Sequence, residues 1–443
     1  MLSVLADRTY RHLFAAQVIA LVGTGLLTVA LGLLAYRLAG ADAGAVLGTA
    51  LAIKMVAYVL VAPVAQAFVG RLPRRAFLVA TDLVRACVAL MLPFIDQAWQ
   101  VYVLVAVLQS ASAAFTPAFQ ATIPDILPDE RDYTRALSLS RLAYDLENLL
   151  SPALAALLLT AIDFHGLFAG TVVGFLCSAA LVLTTTLPTP KAPVRRTGIY
   201  DRTTRGLRIC LATPRLRGLL ALNLAAAAAG AMVIVNTVVI VQAVLNRPQD
   251  DVALALGLFG GGSMVAALIL PRVLDRLSDR TVMIVSSALL GVVLLGFAGG
   301  SRHGVGWVAL LGTWLVLGIG YSAAQTPTGR LLRRSASPED RPALFAAQFA
   351  LSHAAWLATY PLAGWLGATV GMATTSAVLG CITLAAVAAA LLLWPSDDPE
   401  TVEHAHSDLD ASHPHLVAAR GRRHAHAFVI DDLHHHWPSG RPG

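Results

Sequence analysis

Twelve long apolar segments dominate this chain and limit what it can fold into. Each holds about 20 residues or more, enough to cross roughly 30 Å of hydrocarbon as a helix that rises about 1.5 Å per residue. Strands of a membrane barrel span the same distance with about 9–11 residues, so these segments are helical. The predicted spans are residues 12–36, 44–69, 76–95, 99–118, 136–160, 166–187, 218–243, 252–271, 281–299, 305–325, 343–367 and 371–394. The sequence therefore predicts an all-α membrane protein with twelve transmembrane helices.

The composition requires lipid rather than water around most of the chain. Of the 443 residues, 57% are hydrophobic and 13% are charged, and the mean hydropathy is +0.69. A soluble domain carries about 25% charged residues. One large water-soluble core is therefore excluded, and the lipid bilayer is the first partner that the sequence implies.

The second half of the chain repeats features of the first half. Residues 116–131 share a Thr-Pro pair and a Pro-acid-acid-Arg sequence with residues 326–341, at an offset of 210 positions. The charged loop 70–75 matches residues 275–280 at an offset of 205 positions. Many secondary transporters are built from duplicated membrane halves, with the substrate site between them. We therefore predict two pseudo-symmetric six-helix bundles.

Four regions follow from the repeat and from changes in composition. Residues 1–187 form an N-terminal six-helix half, and residues 218–394 form a C-terminal six-helix half. The Pro-, Thr- and Arg-rich segment 188–217 is interpreted as a cytoplasmic linker. Residues 395–443 form a His-rich cytoplasmic tail.

The basic residues predict the orientation of the chain in the membrane. Loops on one side of the spans carry 22 arginines and lysines, against three on the other side. By the positive-inside rule, the arginine-rich side and both termini are cytoplasmic, and the chain is a multi-pass protein of the cell membrane. This placement accounts for the net charge of +6, so no nucleic-acid partner is predicted.

The stretch from Phe115 to Leu159 carries a family resemblance that extends over about residues 5–395. It resembles the major facilitator superfamily and, more narrowly, its bacterial drug and siderophore exporters. The resemblance implies two six-helix bundles around a central cavity. It also implies alternating access driven by an ion gradient.

Two motifs of that family can be placed on this sequence. The fifth-span motif G-x-x-x-G-P-x-x-G-G is represented by Glu147, Ser151-Pro152 and Ala155-Ala156, and it implies export. Its glycines are replaced by other small residues at three positions, which still permit close helix packing. The motif G-x-x-x-D-R-x-G-R-R follows the second span, where Gly70 replaces the acid that the family uses to latch the gate. We assign the gating role to Pro152 and to Arg71, Arg74, Arg75, Asp275, Arg276 and Arg280.

Two pairs of opposite charges lie inside predicted spans. An ionisable group at mid-span costs about 2.5–3.5 kcal/mol on insertion scales, so such groups usually have a partner or a role. Arg141 and Asp145 are four residues apart in the fifth span, and Asp82 and Arg85 are three apart in the third, so each pair can meet on one helix face. The first pair is open between structural and coupling roles. The second is interpreted as structural, although all four belong to the candidate transport set.

Three further ionisable residues complete the candidate transport site. Glu147 in the fifth span is placed to face a different neighbour from the Arg141–Asp145 pair, and Lys54 in the second span has no acid nearby in the sequence. Both observations favour a role in proton coupling or substrate contact. His353 in the eleventh span could titrate, but we favour a hydrogen bond from it to another helix. Mid-span glycines such as Gly25 and Gly318 indicate helices that approach closely.

The tail holds nine of the thirteen histidines and no cysteine. Imidazole suits several transition metals, so a His-rich tract can bind zinc, nickel, cobalt or copper. The other interpretation is a solvated tail whose histidines do nothing specific. Apolar residues between 424 and 437 indicate a short ordered or docking element. The candidate metal ligands are His404, His406, His413, His415, His424, His426, His434, His435 and His436.

The sequence favours a transporter and not an enzyme. The leading prediction is export of a small molecule from the cytoplasm by proton antiport, performed by a monomer that needs no cofactor. One alternative is a divalent transition-metal exporter that uses the tail, and another is a membrane metal sensor that does not transport. The chain contains no G-x-x-x-x-G-K-[ST] sequence, so transport driven by its own nucleotide hydrolysis is not predicted.

Overall fold

The computed structural model describes residues 2–39, 43–69, 73–188, 198–248, 250–301, 304, 306–398, 401–405 and 423–438. These residues form fourteen α-helices and two β-strands. The helices are α1 (Arg8–Ala39), α2 (Ala43–Val69), α3 (Arg74–Met91), α4 (Ala98–Ile126), α5 (Glu130–Leu158), α6 (Phe164–Leu183), α7 (Ile199–Ala212), α8 (Pro214–Val238), α9 (Asp250–Leu274), α10 (Asp279–Ser301), α11 (Trp307–Gln325), α12 (Thr328–Arg334), α13 (Arg341–Val370) and α14 (Met372–Leu393). A 3-10 turn, Leu92–Phe94, extends α3, and a π-helical turn, Val239–Val244, extends α8.

Twelve of the described helices are long, and they form two bundles with matching internal packing. In the N-terminal half, α1 packs on α6, α2 on α4, and α3 on both α4 and α6. In the C-terminal half, α8 packs on α14, α9 on α11, and α10 on both α11 and α14. These sets correspond when α1 to α6 are matched in order with α8, α9, α10, α11, α13 and α14. The predicted pseudo-symmetric pair of six-helix bundles is confirmed.

The long helices place apolar residues towards lipid and close their backbone hydrogen bonds internally, as a bilayer requires. Ten spans in the described residues are long and apolar enough to cross a membrane. The two long helices outside this set are α5 and α13, which are related by the repeat. Both carry polar side chains, including Asp145 in α5 and Gln348 in α13. Both helices also contact the opposite half, α5 through α9 and α13 through α2.

The segment between the two halves is not a simple loop. It contains the 14-residue helix α7, and α8 already begins at Pro214. Gly206 of α7 lies directly on α13, because a Cβ at this position would be 2.0 Å from the carbonyl oxygen of Ala343. The linker helix is therefore firmly seated on the C-terminal half. The linker prediction did not include this helix, whose apolar face the arginines obscured.

The repeated Thr-Pro pair has different structural consequences in the two halves. α4 continues through Pro117 as one helix of 29 residues. In the second half, α11 ends at Gln325, and Pro327 precedes the separate short helix α12. α12 brings additional arginines to the face that joins the two bundles.

The C-terminal tail adds a small β-element to the helical fold. Strands β1 (Thr401–Ala405) and β2 (Arg423–Ala427) pair antiparallel, with His404 opposite His424. Phe428 and Ile430, which follow β2, are buried in the hydrophobic core that also contains Trp394 at the end of α14. The expectation of an ordered docking element in this region is confirmed.

Candidate functional site

The two halves meet through two symmetric helix pairs, α5 with α9 and α2 with α13. Ser263 of α9 and Tyr58 of α2 lie at these two contacts, and their positions differ by 205, the offset of the second sequence repeat. The candidate site is the space between these pairs. The face that carries the α2–α3, α4–α5, α9–α10 and α11–α13 connections is called the arginine-rich face below.

A charged cluster joins α5 to α9 at the middle of the helices. The expected pair of Arg141 and Asp145 is formed, with Nη2 and Oδ1 3.1 Å apart. The Ser263 hydroxyl donates to Asp145 Oδ2 at 2.6 Å, and Arg141 Nε and Nη2 donate to the same hydroxyl oxygen at 3.2 and 3.1 Å. The guanidinium of Arg141 also lies over the ring of Tyr321, 4.7 Å from its centre. The pair is thus fully engaged across the boundary between the halves.

Glu147 lies on the same helix as this cluster but has a different environment. It is partly buried, and Lys54 of α2 is the charged group that acts on it electrostatically. Its Oε1 atom lies near Gly25 of α1, 3.3 Å from where a Cβ would be, and the Ser151 hydroxyl fills the rest of that space. The structure therefore brings Glu147 and Lys54 from separate spans into one region of the N-terminal half.

An aromatic group connects Lys54 to the C-terminal half. The Lys54 ammonium lies 5.6 Å from the ring centre of Tyr58. That ring contacts Phe349 at 5.0 Å and His353 at 4.8 Å between ring centres. The prediction for His353 was wrong, because its Nδ1 bonds the carbonyl oxygen of Phe349 in its own helix, at 2.7 Å. A histidine can reach the carbonyl four residues earlier, so the hydrogen bond is local and only the ring contact crosses to α2.

The C-terminal side of the site is lined by four aromatic residues. Phe259 and Tyr321 have ring centres 5.7 Å apart, Tyr321 and Trp356 are 6.2 Å apart, and Trp356 and Tyr360 are 4.8 Å apart. Gly230 of α8 makes room for Trp356, since a Cβ there would lie 2.3 Å from the indole ring. This wall offers large, rigid apolar area with polar edges, which suits organic ligands.

The Asp82–Arg85 pair is also formed, but it lies within the N-terminal half. Both side chains are buried, and Ser178 of α6 donates to Asp82 Oδ2 at 2.8 Å. The Arg85 guanidinium lies between Phe115 and Phe175, 4.2 and 4.6 Å from their ring centres. These contacts join α3, α4 and α6 to one another. The arrangement agrees with the structural interpretation of this pair.

Two ion clusters hold the halves together at the arginine-rich face. In the first, Asp125 at the end of α4 contacts Arg74 of α3 at 2.5 Å and Arg341 of α13 at 2.9 Å. In the second, Arg330 of α12 contacts Asp279 of its own half at 3.0 Å and Glu130 of α5 at 2.5 Å. Both clusters therefore connect the N-terminal bundle to the C-terminal bundle.

Further contacts reinforce this closed face. Arg330 Nη1 donates to Thr134 Oγ1 at 2.8 Å, and Arg333 donates to the carbonyl oxygen of Pro128. Arg131 and Asp275 form a more exposed pair at 3.6 Å. These contacts and the mid-depth cluster all lie between the arginine-rich face and the middle of the spans. The structure is therefore closed on the arginine-rich face.

The predicted gating residues have different positions in this arrangement. Arg74 contacts Asp125, which also contacts Arg341 of the opposite half, and Asp275 contacts Arg131 of the opposite half. Arg280 Nε donates to the carbonyl oxygen of Trp394 at 3.0 Å. Arg75 and Arg276 are exposed. Arg71 lies outside the described residues, as does the side chain of Pro152, although α5 remains helical at that position.

Sequence reasoning missed Ser263, Asp125 and Arg330, which make the contacts across the boundary. Ser263 follows three glycines and gives no signal of its own, because serines of this kind are common at helix interfaces. Asp125 and Arg330 sit at the ends of spans, where charged residues are ordinary. The weak signal was their proximity to the repeated Pro-acid-acid-Arg sequences.

Replacing Ser263 with Ala is expected to loosen the contact between α5 and α9. It removes a hydroxyl shared by Arg141 and Asp145, and hydrogen bonds to charged groups contribute about 1.5–3 kcal/mol. Spin labels at positions 75 and 276, both exposed and in different halves, would report a larger population with separated arginine-rich faces. The control is Ser376→Ala, which removes a hydroxyl that bonds Leu294 within one half. Equal distance distributions in the two variants would contradict the expectation.

A family comparison identifies the class of protein that this fold and site represent. The model of the Major Facilitator Superfamily matches residues 13–245 and again residues 219–430. The chain belongs to this family, whose members are transporters rather than enzymes, and it is a multi-pass membrane protein with a small-molecule substrate.

Individual relatives are distant in sequence. An uncharacterized MFS-type transporter, YfiS of Bacillus subtilis (strain 168), is 22% identical over 340 residues, which cover 74% of this chain and 79% of the relative. Macrolide efflux protein A of Streptococcus pyogenes is 23% identical over 181 residues, which cover 40% of this chain and 44% of the relative. The chain therefore matches less than half of that efflux protein.

Solved structures share the fold at low sequence identity. The human organic anion transporter MFSD10 (TETRAN) has a TM-score of 0.74 at 13% identity and covers 86% of this chain and 99% of its own. A bacterial homologue of the iron transporter ferroportin, in an outward-facing state, has a TM-score of 0.71 at 15% identity, with 87% and 98% covered. The Escherichia coli fucose:proton symporter FucP has a TM-score of 0.67 at 13% identity, with 87% and 98% covered.

Proposed function

We propose that the protein exports a small organic molecule from the cytoplasm by proton antiport. The observation that carries the proposal is the position of Glu147, a carboxyl group beside Gly25 of α1 on which Lys54 of α2 acts electrostatically. The other acidic residue at mid-depth of α5, Asp145, is held by Arg141 and Ser263. Glu147 is therefore the better candidate for a group that exchanges protons while the two halves rock.

The charge of Glu147 provides a physical basis for exchange. When the carboxyl group is ionised, it offsets Lys54 and can attract a cationic group of a substrate. When it binds a proton, that attraction disappears. A proton and a cationic substrate therefore compete for one region, and this negative coupling between two ligands is what antiport requires. The proton enters the cell as the substrate leaves it.

The lining of the site favours an organic substrate over a hydrated metal ion. Phe259, Tyr321, Trp356 and Tyr360 provide aromatic faces, which bind apolar and cationic organic groups. Divalent transition metals need several nitrogen, sulfur or oxygen ligands together. Within the described residues, the group of three candidate metal ligands lies in the tail and not beside these aromatic residues. The name of the macrolide efflux relative supports the same substrate class.

The orientation follows from the positive-inside rule. We place the arginine-rich face and both termini in the cytoplasm, and we place the protein in the cell membrane as a monomer. The structure then represents a state closed towards the cytoplasm. Alternating access requires the ion clusters of Asp125 and Arg330 to break when the site opens to the cytoplasm.

The test is Glu147→Gln in proteoliposomes that contain the purified full chain. A macrolide and a fluorescent organic cation serve as probes, and two activities are measured for each. Transport driven by an imposed pH gradient should fall at least tenfold in the variant. Exchange of labelled for unlabelled probe, which needs no net proton movement, should persist. Asp163→Asn, in the exposed α5–α6 connection, is the matched control and should retain both activities.

The results also separate the alternative functions. Full gradient-driven transport by Glu147→Gln would remove Glu147 from the coupling mechanism. A metal exporter would instead lower the cellular content of nickel, cobalt, zinc or copper when overproduced, with no response to the organic probes. A non-transporting metal sensor would give neither result.

A further inference from the structure

The tail contributes an ordered layer to the arginine-rich face. β1 and β2 place His404 next to His424, and the segment after β2 returns His434 to the same place. The anchoring residues Phe428 and Ile430 are only 3% and 6% exposed. This burial fixes the histidines relative to the membrane bundle, so they are not all part of a freely moving tract.

Charged contacts add to this anchoring. Arg205 of α7 contacts Asp340, which precedes α13, at 2.9 Å, and it contacts Asp432 of the tail at 2.5 Å. Arg215 of α8 lies over the ring of Trp437, 5.0 Å from its centre. The tail is thus attached both to the linker helix and to the C-terminal half.

Three imidazole rings of the tail converge. His404, His426 and His434 each offer one ring nitrogen, and these atoms lie within 4.8 Å of one another. The Nε2 atoms of His404 and His434 are 3.0 Å apart. Two nitrogens bound to one tetrahedral zinc ion at about 2.0–2.1 Å would be roughly 3.3 Å apart. The observed spacing is therefore close to that of a shared metal ion.

The opposite nitrogen of each ring faces an oxygen acceptor. His404 Nδ1 lies 3.0 Å from the carbonyl oxygen of Val402, and His426 Nδ1 lies 2.9 Å from the carbonyl oxygen of Ala427. His434 Nδ1 lies 2.8 Å from Asp431 Oδ1. Each Nδ1 can then carry the proton and donate it, which gives Nε2 the lone pair. Metal-binding histidines are commonly oriented by the same kind of carbonyl or carboxylate contact.

We propose that His404, His426 and His434 bind one divalent transition-metal ion, with zinc as the representative example. The ion joins β1, β2 and the segment after β2 at a single point. It therefore fastens the tail to the C-terminal half next to the linker helix. This inference concerns a site away from the candidate transport residues and does not depend on the substrate or on proton coupling.

The donor set decides the class of ion. Three imidazole nitrogens suit zinc, copper, nickel and cobalt, whereas magnesium and calcium prefer oxygen ligands.

The competing explanations are a shared proton and a diffuse His-rich tract. A proton on one of the two Nε2 atoms of His404 and His434, donated to the other in an N–H···N hydrogen bond, would account for their 3.0 Å spacing as well as a metal ion. A diffuse tract would bind metal through any of its nine histidines. The three possibilities differ in stoichiometry and in their response to particular substitutions.

The experiment titrates zinc chloride into the full chain, purified in nanodiscs, and measures binding by calorimetry. Cobalt absorption spectra report the coordination geometry. The wild-type chain should show one tight site and a tetrahedral cobalt spectrum. The variant His404→Gln/His426→Gln/His434→Gln should lose that site. The control His413→Gln/His435→Gln/His436→Gln removes three other tail histidines and should keep it.

A second variant tests the orientation of His434. Asp431→Asn leaves all nine histidines in place, and loss of such a contact lowers metal affinity about 10–100-fold. A similar loss in both triple variants would show a diffuse tract and overturn the proposal. Absence of a tight site in the wild-type chain would leave the shared proton as the explanation and would also overturn it. Neither outcome bears on the transport proposal, because no transport is measured.

Discussion

Replacing Asp125 with Asn is expected to open the arginine-rich face. The carboxylate neutralises Arg74 and Arg341, which come from different halves, and it is only 15% exposed. The amide leaves these two guanidinium groups facing each other without a shared counter-ion. Hydrogen bonds to charged groups contribute about 1.5–3 kcal/mol. A change of about 2 kcal/mol corresponds to roughly a thirtyfold shift in the balance between closed and open states.

Distances between spin labels at positions 75 and 276 would measure this shift. Cys87, Cys177 and Cys381 are exposed and would first be replaced, whereas Cys210 is buried. The expected result is a new population with a longer distance between labels. Asp132→Asn is the matched control, because Asp132 pairs with Arg135 in the same helix and joins no halves. An unchanged distribution for Asp125→Asn would show that this cluster does not hold the face closed.

Local sequence spacing predicted the features that a helix alone determines. Apolar runs gave the twelve long helices, because each must cross the same thickness of hydrocarbon. The spacing of Arg141 and Asp145, and of Asp82 and Arg85, gave two ion pairs that both form. Positions three or four apart lie on one helix face whatever the rest of the fold does. The sequence repeat then predicted that the twelve helices form two pseudo-symmetric bundles of six.

Contacts between distant spans could not be obtained in this way. Ser263 and Asp145 are 118 residues apart, and Asp125 and Arg341 are 216 apart. Which helices face each other depends on the tilt and rotation of both bundles, which one sequence does not specify. Hence Lys54, which has no acid nearby in the sequence, is matched with Glu147 only by the fold. The roles proposed for these residues in coupling stay predictions.

The linker and the tail also have contacts that their composition alone could not predict. The composition of residues 188–217 predicted a linker between the halves, and it gave no indication that Ile209 and Cys210 bury one face of α7 in the core of the C-terminal half. In the tail, apolar residues among the histidines predicted docking correctly. Only the strand register brings His404 beside His424. Composition thus distinguished these two segments from the spans, whereas their packing against the C-terminal half is visible only in the structure.

Replacing Gly318 with Ala is expected to have the largest effect on stability. A Cβ at Gly318 of α11 would lie 1.9 Å from the carbonyl oxygen of Phe259, and one at Gly262 of α9 would lie 2.1 Å from that of Leu315. The two helices touch through their backbones, so no side chain can rotate away to relieve the clash. Overpacking of this kind costs about 1–3 kcal/mol or more, and backbone contact favours the upper end.

The consequence extends from stability to the candidate site. Phe259 lies on the helix that must move away, and its ring contacts Tyr321 on the other helix. Separation of α9 from α11 would therefore disturb the aromatic wall, and transport of the organic probes should fall together with the unfolding temperature in detergent. Gly312→Ala on the same helix is the matched control, because a Cβ there meets no atom within 4 Å. Since Ala is favoured over Gly in helices by about 1 kcal/mol, the control should be neutral or stabilised. Equal unfolding temperatures in the two variants would show that α9 and α11 are not in backbone contact.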